Sequence, residues 1–149
     1  MTRLAASATI LCAAMALAGC QTATERAEAE AKREAAGTLL ADGQTYGDGA
    51  RKTGEPERCI NTSLLTNTRV QSDRVIDFDA GTRIYRNVLP RACPRLGFER
   101  RIAYRVYGGN LCSPDIIQVV DASPGIPGPT CILGEFQPID RPPRTRLRH

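Results

Sequence analysis

Four cysteines, Cys59, Cys93, Cys112 and Cys131, constrain this chain more than any other feature, because its second half must either pair them or leave reactive thiols. Their spacing argues against the alternatives. No pair has the C-x2-4-C separation of a zinc site, the only histidine is the terminal His149, and no C-x-x-C redox motif is present. In an oxidising compartment, four such residues read as two structural disulfides. Three connectivities are open to them. The preferred one is nested, Cys59 with Cys131 and Cys93 with Cys112, so that the inner bridge brackets a strand around Ile102 and the outer one ties the first part of the domain to the last.

The compartment is indicated at the other end. Arg3 is followed by an uncharged run of small and apolar residues from Leu4 to Leu17. That run falls short of the roughly 20 apolar residues a membrane span needs, and it ends in small residues, as secretory signals do. Leu17-Ala18-Gly19-Cys20 resembles the lipobox of bacterial lipoproteins. The resemblance implies cleavage before Cys20 and acylation of Cys20 with three chains. One acyl chain holds a protein to a membrane only marginally, and several hold it stably. In this family an aspartate directly after the cysteine marks retention at the inner membrane. Gln21 occupies that position here, so an outer-membrane, periplasm-facing location is expected. Cys12 would leave with the signal.

Removing residues 1–19 leaves about 130 residues, enough for one small domain and a tether. Thr24 to Leu40 is rich in helix formers, with Arg26/Glu30 and Glu28/Lys32 placed to pair four residues apart. It has no broad apolar stripe, which predicts a solvated helical spacer. Asp42 to Glu57 is polar and Gly-rich and reads as a flexible linker. The expected organisation is therefore a signal over 1–19, a lipidated tether over 20–57, a β domain over 58–139 and a basic, disordered tail over 140–149.

From Arg58 onward short strands alternate with turn residues, which predicts an all-β fold, a small antiparallel barrel or sandwich of about six strands. Phe98 to Tyr107 places Phe98, Ile102, Tyr104 and Val106 on one face, and Gly108-Gly109-Asn110 then suits a tight hairpin to Asp115–Asp121. Asp115–Asp121 is apolar on both faces, as a central strand is. The other expected strands are Ile60–Leu65, Arg74–Phe78, Thr82–Leu89 and Cys131–Gln137. The prolines of Ser123 to Pro129 predict a loop before the last strand.

Arg58-Cys59-Ile60-Asn61, Tyr85-Arg86-Asn87 with Leu89-Pro90 and Cys93-Pro94, Leu111-Cys112 with Asp115 and Ile117, and Cys131-Ile132-Leu133-Gly134 with Phe136 form a set of short motifs. Over residues 58–138 the set resembles a family of small, functionally uncharacterised proteobacterial envelope proteins. The resemblance implies an envelope location and paired cysteines. It supplies no activity, ligand or catalytic residue.

The domain has no internal histidine, so Ser-His and Cys-His chemistry has no base, and a non-enzymatic role without cofactor or metal is expected. Asp73, Asp77 and Asp79 cluster, and Asp77 and Asp79 share a strand face. A hydrolase using that pair is a weaker reading than solvated strand-end carboxylates. The run Asp77 to Gly81 lacks the acidic ligands of a calcium loop. The remaining candidate is basic. Seven arginines lie between Arg83 and Arg105 against only Glu99, while the net charge of the whole chain is just +4. Arg83, Arg86, Arg101 and Arg105, with Arg91 and Arg95 nearby, would suit phosphate or carboxylate groups if they converged. Lipopolysaccharide, peptidoglycan or an envelope protein are the partners expected, alongside the membrane and not nucleic acid. The alternative weighed is a solubilising polar face. An inhibitor of an enzyme such as lysozyme is the second function considered, but a basic domain would meet that cationic enzyme with like charge.

Overall fold

The computed structural model describes residues 23–122 and 127–141. The expected signal segment with Cys20, part of the expected proline loop and the tail from residue 142 lie outside the described residues. The chain divides into two units, Met1–Lys32 and Arg33–His149. In the first, the described residues belong to a helix over 23–35 (α1) and are exposed throughout, in keeping with its lack of an apolar stripe.

The second unit is all-β and antiparallel. Its strands are β1 (Arg51–Lys52), β2 (Cys59–Asn61), β3 (Leu65–Val70), β4 (Val75–Ala80), β5 (Arg83–Val88), β6 (Ile102–Tyr104), β7 (Asn110–Cys112), β8 (Ile116–Val120), β9 (Pro127–Ile132) and β10 (Phe136–Asp140), with a single-turn helix α2 (Leu96–Glu99) between β5 and β6. They form a five-stranded sheet in the order β1-β10-β5-β4-β3, a three-stranded sheet β6-β8-β9 and the ribbon β2-β7. The sheets stack around a core and do not close into a barrel.

Strand alternation explains how the five-stranded sheet is used. Ile76, Phe78 and Ala80 of β4, Tyr85 of β5 and Phe136 of β10 turn one face inward, where they meet Ile60, Leu111, Ile117 and Val119 from the other two sheets and Leu133 just after β9. Phe78 and Phe136 pack edge to face with centroids 5.6 Å apart, worth about 1 kcal/mol beyond their burial. Asn87 on this inner face is buried and hydrogen-bonded through both amide atoms: its Nδ2 donates to the Gly134 carbonyl and its Oδ1 accepts the Gly134 amide. Only glycine fits there, since a Cβ at Gly134 would stand 2.4 Å from the Val88 carbonyl oxygen.

The opposite face of the same sheet corrects the expected domain boundary. Residues 36–57, read as part of a tether ending near Arg58, belong to the β unit. Tyr46 and Ala50 are buried against Ile139, with Ile84 and Val88 beside them, and β1 pairs with β10. The polarity that suggests a linker is spent on local turns. Asp42 Oδ1 accepts the amides of Gln44 and Thr45, and Asp48 Oδ1 accepts that of Ala50.

The bridges are Cys59–Cys112 and Cys93–Cys131, so the nested pairing expected from the sequence is replaced by an interlaced one. The cause is strand pairing. The turn at Gly108-Gly109 does not return β6 onto β8; it leads into β7, which pairs with β2 and sets Cys112 directly opposite Cys59. The pairing of β6 with β8 is present, but as a longer-range one, and β8 is central in its sheet as expected. Three strand expectations also shift. Phe98 lies in α2 and is exposed rather than inward, Thr62–Leu64 is a 3-10 turn ahead of β3, and Cys131–Gln137 is split between β9 and β10. Pro127 and Pro129 do lie in a strand, β9, at the edge of its sheet, where a missing donor is tolerated.

Candidate functional site

The arginines singled out from the sequence do not converge. Arg86 is fully buried on the outer face of the five-stranded sheet, under the segment 36–50, and is corrected from a surface ligand-binding residue to an internal one. Its five N–H donors are all used. Nε donates to Asp77 Oδ1 at 2.8 Å, Nη1 to the Ala36 carbonyl at 3.0 Å and Asp48 Oδ1 at 2.9 Å, and Nη2 to Asp48 Oδ2 at 2.7 Å and Asp77 Oδ2 at 3.1 Å. The Tyr46 ring lies 4.7 Å from the guanidinium carbon, a cation–π contact. Burial opposes the charge, but the two carboxylates outweigh it and raise the guanidinium pKa above its ordinary value.

The carboxylates examined as a catalytic pair belong to the same cluster. Asp77 is buried and also accepts from Gln71 Nε2 and from Arg141 Nε and Nη2. Asp79 is bound by Arg69 and lies 3.3 Å from Arg141 Nη1. These are neither solvated strand-end groups nor an open pair, because each is occupied by guanidinium. Tyr46, Asp48, Arg69 and Arg141 were not legible as members of the cluster. The pair at its centre was not read either, although its signal is local: a hairpin turning at Gly81 sets Asp77 opposite Arg86 in register.

Two carboxylates tied into this cover titrate low. Asp42, exposed, is brought down to about 2, first by the Thr45 hydroxyl and then by the Gln44 and Thr45 amides. For Asp48, burial works against ionisation, yet the hydrogen bonds and charge of Arg86 prevail and its pKa falls below the ordinary carboxylate value. Both folded values lie below the unfolded value of about 4. Their stabilisation is therefore complete above that pH and is lost as pH falls through the folded values. Amide exchange of residues 36–50, corrected for intrinsic rates, should accelerate between about pH 4 and pH 2 before that of β4 and β5 does.

Arg83 is exposed, lies 3.3 Å from Glu57 Oε1, and shares a groove with Thr53 and Asp140 on the five-stranded sheet. Arg95 is held by Glu99 and Asp121. Arg101 and Arg105 differ from these. They flank β6 on the outer face of the three-stranded sheet, are exposed, and form no ion pair with any described residue. Between them, alternation turns Ala103, Ile116, Gln118, Val120, Thr130 and Ile132 outward, and Ile116 stands opposite Ile132. Ile116 is 61% exposed and Ile132 52%. Tyr107, 80% exposed, and Arg105 line a shallow groove of about 390 Å³ with Ala103, Ile116 and Thr130. This surface offers cations beside apolar and aromatic area, with one carboxylate, Asp115, also lining the groove. Among the described residues no cluster of His, Cys, Asp and Glu could hold a metal ion, and no helix is long and apolar enough to cross a membrane.

Comparison with protein families, characterised proteins and solved structures finds no match to this chain.

Proposed function

We propose that this chain is a non-enzymatic envelope lipoprotein, anchored through an acylated Cys20 in the outer membrane and facing the periplasm, whose β domain binds an anionic envelope component. The observation that carries the binding half is the pair Arg101 and Arg105, exposed and without carboxylate partners among the described residues, on a sheet face that also exposes Ile116, Ile132 and Tyr107. Exposed arginines left unpaired are suited to bidentate contact with phosphate or carboxylate. The two disulfides of the β unit fit an oxidising compartment, as the lipobox-like segment also implies. The carboxylates that would serve a hydrolase are instead engaged by Arg69, Arg86 and Arg141, which favours binding over catalysis.

Pull-down on lipopolysaccharide and on peptidoglycan over a salt series tests the reading. Retention should fall steeply with salt and should be lost in Arg101→Gln/Arg105→Gln, since exposed charge contacts are screened within about 8 Å at physiological ionic strength. Indifference to both materials, or retention unaffected by salt, would contradict it.

A further inference from the structure

The outer face of β6-β8-β9 is the one place in the described β unit where several large apolar side chains and unpaired arginines are exposed on one sheet. Elsewhere the exposed large hydrophobic residues are Leu39, Leu40 and Leu64, none on the face of a sheet strand. On this sheet Ile116, Ile132 and Val120 project outward, Tyr107 lines the groove beside Arg105, and Phe98, 83% exposed, protrudes from α2 at the Arg101 end. α2 is fixed to that end of the sheet because Glu99 Oε2 accepts the Ala122 amide and Arg95 bridges Glu99 and Asp121.

Among exposed groups the cations outnumber the acids on this face. Glu99 and Asp121 are almost wholly buried and share Arg95, while Asp115, whose Oδ2 accepts the Cys112 amide, is a partly buried carboxylate lining the groove. Arg100, Arg101 and Arg105 stand exposed around the apolar centre. We propose that this face is a lipid-docking surface that lies against an anionic bilayer, with Ile116, Ile132, Phe98 and Tyr107 entering the headgroup region and Arg101 and Arg105 meeting phosphates. Aromatic and aliphatic side chains ringed by arginine match the interface between headgroups and acyl chains. A second copy of the chain fits less well, because a two-fold contact would set Arg101 and Arg105 against their own counterparts or close beside them.

This inference deepens the reading of the chain as membrane-anchored and rests on it. With Cys20 in the bilayer, the segment up to Arg33 reaches at most about 45 Å even when fully extended, so the domain never leaves the vicinity of lipid. A surface of weak intrinsic affinity then becomes largely occupied, because tethering supplies a high effective concentration.

The test uses the chain from Cys20 onward with Cys20→Ser, so that no acyl chain contributes, and vesicles of phosphatidylcholine alone or of equimolar phosphatidylcholine and phosphatidylglycerol. Partition into the anionic vesicles should exceed that into neutral ones at least tenfold and should fall with salt. Arg101→Gln/Arg105→Gln should lower it about 30-fold, taking the usual contribution of a basic residue near an anionic surface. Arg51→Gln/Arg83→Gln, on the five-stranded sheet, should change it no more than a few-fold. The chain contains no tryptophan, so Ile116→Trp gives a single reporter: its emission should shift to the blue on anionic vesicles, whereas that of Leu64→Trp should not. Equal partition into both vesicle types, equal losses from the two arginine pairs, or a blue shift only at residue 64 would overturn the proposal. So would absence of partition, with the same face retaining an envelope protein instead. Because Cys20 is replaced, failure here leaves the acylation of Cys20 standing, and acylation is read separately by mass.

Discussion

Arg86→Ala is expected to destabilise the β unit by about 3–5 kcal/mol, the usual cost of removing one partner from a buried ion pair and leaving charge behind. Here the remaining groups are Asp77, fully buried, and Asp48, mostly so. For a unit of this size that corresponds to a fall in Tm on the order of 15 °C. The effect is larger than the cluster's net contribution to stability, because burying these charges costs much of what their pairing returns. Arg86→Lys should recover only part of the loss, since an ammonium cannot reproduce a planar fork that serves two carboxylates and the Ala36 carbonyl. Arg86→Ala and Asp48→Ala should be non-additive by about 1–3 kcal/mol in urea unfolding, as expected of direct partners. Additive losses would mean that the segment 36–50 is held by the apolar contacts of Tyr46 and Ala50 alone.

The second large effect belongs to the disulfides. Cys93–Cys131 spans 38 residues of sequence and Cys59–Cys112 spans 53. Loop-closure arithmetic assigns each about 4 kcal/mol, model-dependent and not additive for interlaced loops. Against a total of about 5–15 kcal/mol for an ordinary domain, Cys93→Ala/Cys131→Ala should leave the fold marginal at 37 °C. Cys59→Ala/Cys112→Ala should be better tolerated than loop length suggests, because β2 and β7 remain paired through Ile60 and Leu111, both buried in the core. Non-reducing proteolysis with peptide mass mapping should recover Cys59 with Cys112 and Cys93 with Cys131. Peptides joining Cys59 to Cys131 would overturn the sheet order as well as the bridges.

How far the sequence could be read depended on whether a residue's role was local. The sequence placed strands at Arg74–Phe78 and Thr82–Leu89, close to β4 and β5, but not their antiparallel pairing across the turn at Gly81. The Asp77–Arg86 pair follows from that register and was missed because charge on a strand reads by default as solvent-facing. What made that charge internal was residues 36–50, whose polar, Gly-rich composition is the usual mark of a linker. Only the tertiary partner of Asp48 distinguishes it from one. The exposed Phe98 was misplaced for a related reason: two non-glycine residues with left-handed backbone, Arg95 at φ 66° and Arg100 at φ 54°, bound a helical turn where alternation suggested a strand. The disulfide pairing was not readable without knowing that β7 leaves β6 for β2. Of the proposed binding arginines, Arg101 and Arg105 do flank one outward strand face, whereas Arg83 sits on another sheet and Arg86 is buried.

The structure is a disulfide-braced β unit, closed on one side by an arginine-pinned cover and open on another as a basic, apolar sheet face, and the proposal adds that it is carried on a chain whose mature form begins at a lipidated Cys20. The intact mass of the protein extracted from the outer-membrane fraction tests that picture most directly. The account predicts a chain starting at Cys20, heavier than the polypeptide by three acyl chains and their linkage and lighter by the hydrogens of two disulfides. A chain that retains residues 1–19, or an unmodified Cys20 in a protein recovered free of membrane, would contradict it.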